Sequence, residues 1–152
     1  MTYIANTEHV ARLLKPIWVS KGVVAPVAFT LRSRLHETYI SVLCESASTF
    51  EEDARRIAHS TDKLQYASFL VEELSSRKDF FNEDEISYSV KTTDNETIKS
   101  HAGIFIAVNG VNVVGGEPFD SFSKKKGISE EAILIDISKK LAMVAQKDIK
   151  SL

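Results

Sequence analysis

The chain predicts an α+β fold: a mainly antiparallel sheet built from hairpins, with about three helices packed on it. Three observations lead there. Asn109-Gly110 separates the apolar run after Ser100 from a second β-rich run ending at Gly115-Gly116, and Asn-Gly accepts the positive φ that a type I′ hairpin turn needs at both central positions. Runs of β-branched and aromatic residues recur elsewhere, whereas helical spacing of apolar residues is confined to a few windows. Strands and helices do not alternate regularly, which argues against a doubly wound parallel sheet.

Taken in order, Asn6 or Thr7 caps a short helix that places Val10, Leu13 and Leu14 on one face and ends before Pro16. Ile17-Trp18-Val19, the turn Ser20-Lys21-Gly22 and Val23-Val24 form a first hairpin. Pro26 suits an edge or bulge because it has no amide hydrogen to donate. Val27 to Leu31 continues as strand, and Arg32 to His36 is a polar loop. Thr38 to Cys44 is a strand dense in β-formers. Ser48-Thr-Phe-Glu51 has the capping-box pattern and opens a helix to about His59.

Leu64 to Leu74 carries two readings. Leu64, Ala67, Val71 and Leu74 have helical spacing, yet Tyr66 to Val71 is also strand-like, and the break at Ser60 to Lys63 favours the strand. Phe80 to Glu85 reads as an acidic turn. Ile86, Tyr88 and Val90 alternate with polar residues, the pattern of a half-exposed strand. Thr92 to Lys99 is a polar loop before the Asn-Gly hairpin, and Glu117 to Gly127 is a loop after it. Ser129 caps a last helix to about Asp148, with Ile133, Leu134, Ile137, Leu141 and Val144 on one buried arc. Ile135 projects almost opposite that arc. It is either a lone exposed apolar residue or a contact for a second subunit. Ile133 to Ile137 as a strand is the rival reading, weakened by the Lys- and Ala-rich continuation.

A length of 152 residues is expected to make one domain, 1–152, with a core that needs no disulfide or metal. Hydrophobic residues at 43% and charged ones at 26% give an ordinary globular mixture. A net charge of −2 supplies no overall basic surface, which disfavours nucleic acid as the partner. Cys44 is the single cysteine, no leader pattern opens the chain, and no run reaches the length of a membrane span. These point to a soluble cytoplasmic protein without a membrane partner.

Chemistry centres on Cys44 and His101. A neighbouring imidazole holds a thiol as thiolate, which is the nucleophile. The string His101-Ala-Gly103-Ile-Phe-Ile106 with Gly110 and its valines resembles a strand pair of NlpC/P60-type and LRAT-like cysteine hydrolases. That resemblance implies Cys44 as nucleophile and His101 as base, acting on an amide or ester. Cys44, however, stands several residues before the capping box rather than at a helix N-terminus, and Val113 and Val114 occupy the outgoing strand where a polar partner often stands. Without the pairing, Cys44 is a small buried hydrophobe and His101 a locally bonded strand end.

Other chemistry is thinner. His9, His36, His59 and His101 lack helical zinc spacing, so no metal is expected. Gly115-Gly116 leads into Glu117-Pro118, which excludes a phosphate loop, and no cofactor is expected. Lys124, Lys125 and Lys126 beside Phe119 and Phe122, together with Arg32, Arg34 and His36, would make an anion or nucleic-acid contact if folding joined them, with Arg55-Arg56 extending it.

Over most of its length the pattern of Trp18, Ala28-Phe29, Glu37 to Val42 and His101-Ala-Gly resembles small bacterial proteins of unassigned activity. That resemblance implies a bacterial cytoplasmic origin and carries no site residues. The leading expectation is a non-catalytic domain that binds a protein or its own copy, with Ile135 as a self-association residue. The Cys-His hydrolase and nucleic-acid contact through the basic loops are the alternatives.

Overall fold

The computed structural model describes residues 2–31, 37–58, 64–93, 95–113, 127 and 130–152. It is an α+β fold around one curled antiparallel sheet. The strands are β1 (His9–Leu14), β2 (Val19–Ser20), β3 (Val23–Val24), β4 (Ile40–Cys44), β5 (Gln65–Leu70), β6 (Lys78–Phe81), β7 (Asp84–Thr92), β8 (His101–Val108), β9 (Val111–Asn112) and β10 (Ile149–Ser151). The helices are α1 (Phe50–Ala58), α2 (Val71–Ser75) and α3 (Glu130–Ala145). The sheet runs β10-β5-β1-β4-β8-β7-β6, with β9 hairpinned onto β8, while β2 and β3 pair only with each other.

The core lies between one sheet face and α3. The predicted arc Ile133, Leu134, Ile137, Leu141 and Val144 is buried there, and Ile135 is exposed. Opposing it are Val10 of β1, Ile40 and Val42 of β4, Phe69 of β5, Ile86, Tyr88 and Val90 of β7, and Ile104 and Ile106 of β8. The alternation of buried and half-exposed positions from Asp84 to Lys91 of β7 follows from one face meeting this core. Asn109 and Gly110 turn β8 into β9 with φ of 50° and 81°, the conformation expected of Asn-Gly. The Asn109 side chain also accepts a bond from the Glu85 amide at 2.9 Å and donates to Asp84 at 2.7 Å, which ties the turn to β7.

Several expectations are corrected. The predicted first helix is strand β1, whose partners are β4 and β5. Adjacent Val10 and Ala11 are both buried although they face opposite ways, so the strand has no clean period-two signature and its apolar residues mimic helical spacing. Ile17 and Trp18 belong to a 3-10 turn, Pro16–Trp18, so the first hairpin is only β2 and β3 around Lys21-Gly22. Val27 to Leu31 is not a strand. Pro26–Phe29 forms a second 3-10 turn with Pro26 at its start, where its fixed φ fits and no amide hydrogen is missed. Phe80 to Glu85 is a hairpin: Phe81 pairs with Asp84, and only Asn82-Glu83 turn.

Residues 64–74 satisfy both rival readings in part, since β5 passes directly into α2. The last helix stops at Ala145, three residues short of Asp148, and the chain then adds β10 to β5. The loops expected at 32–36 and 117–126, the break expected at 60–63 and the helix ends expected at His59 and Ser129 lie outside the described residues.

Candidate functional site

Cys44 and His101 sit on neighbouring strands yet face opposite ways. His101 is the register partner of Leu43, whereas Cys44 pairs with Val10 and donates its amide to the Ser100 carbonyl at 2.8 Å. Partners across an antiparallel ladder share a face and successive residues alternate. Leu43 and His101 therefore lie on the outer face, while Cys44 joins Val10 on the core face and packs against its apolar cluster. Burial, reinforced by Glu8, pushes the Cys44 thiol above its usual value, the reverse of what an activated nucleophile needs. The structure does not bring this pair together.

His101 is held by its own neighbours. Its Nδ1 is hydrogen-bonded to the Thr93 hydroxyl, which also stands 3.3 Å from the His101 carbonyl oxygen. The Tyr39 ring lies edge-on at 5.9 Å and continues to Phe105 at 5.1 Å. Gly103 makes that position accessible, because a Cβ there would meet the Tyr39 ring at 2.7 Å. Burial lowers the His101 pKa, which favours the neutral imidazole.

Above this face stands α1, fixed by a carboxylate. Asp53 is buried and accepts bonds from the Ser100 amide at 3.1 Å, the Ser100 hydroxyl at 2.7 Å and the Thr49 hydroxyl at 2.9 Å. Burial pushes the Asp53 carboxyl up, but the bonds from Ser100 and Thr49, with Arg56 nearby, outweigh it and hold its pKa below the usual value. The Thr49-to-Asp53 spacing is visible in sequence. The partner Ser100 lies 47 residues beyond Asp53 and carries no local signal.

An open pocket of about 250 Å³ lies between α1, the loop of Asn95 and Ile98, and strands β1, β4 and β8. Ala11 and Leu43 are its buried apolar side chains, and Leu13, Ile57 and Ile98 add further apolar lining. Polar lining comes from His101, Ser41, Asn95 and Arg12. The gap has a cause in the ladder. β1 and β4 share only the pairs Val10–Cys44 and Ala11–Leu43, and beyond them Arg12 bonds the Ser41 and Ala28 carbonyls, each at 2.9 Å. Sequence reading singled out His101 but none of the other lining residues.

A second region faces away from the sheet. Ile135, Lys139 and Met143 succeed one another at helical i, i+4 steps along α3 and are exposed, Met143 at 70%. At the end of that ridge Gln146 accepts the Val24 amide at 2.9 Å and donates to the Gly22 carbonyl, so the β2–β3 hairpin is clamped against the helix. Between those two contacts Val23 is 61% exposed, and the flanking 3-10 turns present Ile17 at 85% and Val27 at 56%. Trp18 is a packing residue here, half-buried with the Arg12 and Lys15 cations 5.5 and 5.1 Å from its ring.

Arg32, Arg34, His36 and Lys124 to Lys126 lie outside the described residues. Arg55 and Arg56 pair with Glu51 and Glu52 along α1 at 3.3 and 3.2 Å. Among the described residues no group of side chains could hold a metal ion, and no helix is long and apolar enough to cross a membrane. No family model, curated protein or solved structure matches the chain.

Proposed function

We infer that this is a recognition domain without a catalytic centre, and that its partner is a protein, in the first instance a second copy of itself. One observation carries the reading: five of the exposed large apolar side chains stand on adjoining elements, Ile135 and Met143 on α3, Val23 on the hairpin that Gln146 clamps to it, and Ile17 and Val27 on the neighbouring 3-10 turns. Scattered exposed apolar residues are normal on any surface, but a group gathered on adjoining elements supports an interaction site. Lys139 within the ridge and Lys21 at the hairpin tip are exposed and give the group a polar margin. The separation of Cys44 from His101 supports recognition over hydrolysis, and a single free thiol suits a reducing cytoplasm.

Sedimentation equilibrium over a wide concentration range tests this. The wild-type chain is expected to associate reversibly, and Ile17→Asp combined with Met143→Asp to be monomeric at every concentration with an unchanged circular dichroism spectrum. A wild-type chain that stays monomeric at high micromolar concentration contradicts self-association.

A further inference from the structure

The pocket beside His101 has a lining that selects a ligand class, independently of the α3 surface. A cavity of about 150 Å³ already holds a benzene ring. The 250 Å³ here leaves room for a ring with one or two substituents. Ala11, Leu13, Leu43, Ile57 and Ile98 offer carbon only, which favours an apolar body.

Arg12 in the lining repels an organic cation, and two of its donors, Nε and Nη1, are already engaged by the Ala28 and Ser41 carbonyls, which leaves an anion without a bidentate fork on that edge. Of the remaining polar lining, Asn95 has its Oδ1 taken up by the Thr97 and Ile98 amides, Ser41 is exposed, and His101 contributes a half-buried polar contact. Thr93 occupies its Nδ1, leaving Nε2 as the ring nitrogen with no hydrogen-bond partner among the described residues. In one neutral tautomer Nε2 accepts a hydrogen bond and in the other it donates one. A hydroxyl both donates and accepts, so it satisfies either state.

We propose that this pocket binds a small uncharged molecule made of one ring and one hydroxyl, a phenol in its simplest form, with the ring against Ala11 and Leu43 and the hydroxyl on His101.

Amide and methyl NMR titrations of the full chain with phenol, toluene and benzoate test the assignment. Millimolar phenol is expected to give saturable shifts at Ala11, Leu13, Leu43, Ile57 and Ile98. His101→Leu, which keeps the side-chain bulk and removes the nitrogen, should weaken phenol about fivefold, the loss of one hydrogen bond, and leave toluene unchanged. Ile57→Trp, at an exposed position on the pocket wall, should block both ligands without entering the core. Absence of saturable shifts at these residues in the wild type would overturn the proposal. So would a phenol affinity that His101→Leu leaves unchanged, or benzoate binding more tightly than phenol.

Discussion

The two faces of the sheet are stabilised by different physics. On the core face α3 lays a continuous apolar stripe against strands β1, β4, β5, β7 and β8, and burial of large side chains dominates. On the outer face the nine residues of α1 meet the sheet through few apolar contacts, with Phe50 edge-on to Tyr66 of β5 at 5.4 Å, and buried Asp53 bonded to Ser100 and Thr49 fixes the helix. A stripe closes its interface everywhere, whereas a pin with one ring contact beside it lets the surfaces part elsewhere. The pocket lies on the pinned face, and the thiol on the striped one.

Substitutions should separate these two modes, and urea unfolding reads each of them. Leu141→Ala, on the fully buried stripe, should cost about 2–5 kcal/mol through lost burial and the cavity left behind. Asp53→Ala should cost about 2–3 kcal/mol, because the buried Ser100 hydroxyl and amide lose their acceptor.

The two losses differ in their dependence on pH. Asp53 has a folded pKa below its unfolded one, so its contribution is complete above the unfolded value near 4 and is lost as pH falls through the folded value. The stability gap between wild type and Asp53→Ala should therefore be constant near neutrality and narrow in acid, while the Leu141→Ala gap should show no such titration. A gap for Asp53→Ala that persists unchanged in strong acid would sink the pin.

Gly103→Ala should cost about 1–3 kcal/mol by driving the Tyr39 ring from its seat, and most of that loss should vanish in a Tyr39→Ser background. Additive effects of the two changes would show that the ring contact does not limit Gly103. Smallest, Gln146→Ala should cost about 0.5–1.5 kcal/mol and raise hydrogen exchange at the Val24 amide that Gln146 accepts. Unaltered exchange there would remove the clamp.

The same contrast explains what the sequence made legible. α3 was readable because a helix buried along one face writes a 3.6-residue period, down to the outward position of Ile135. The β8–β9 hairpin was readable because Asn109-Gly110 suits one turn geometry. Strand β1 was not, since Val10 and Ala11 are buried on opposite faces and its apolar residues do not alternate. Strand β6 was missed because Lys78 and Asp79 make an edge strand resemble a charged turn, as edges often do.

At the site, His101 stood out as an imidazole at a strand entrance, but its relation to Cys44 depended on register. A shift of one residue exchanges the faces, and spacing along the chain does not reveal it. The Asp53–Ser100 pin and the pocket join residues from distant segments, so neither leaves a local pattern.

Alkylation of Cys44 by iodoacetamide as a function of pH tests the separation of the two faces most directly. Slow modification is expected, with an apparent pKa above that of an ordinary thiol and a rate that His101→Leu leaves unchanged. Rapid modification at pH about 6 that His101→Leu abolishes would mean that thiol and imidazole share one site, contrary to the register described here.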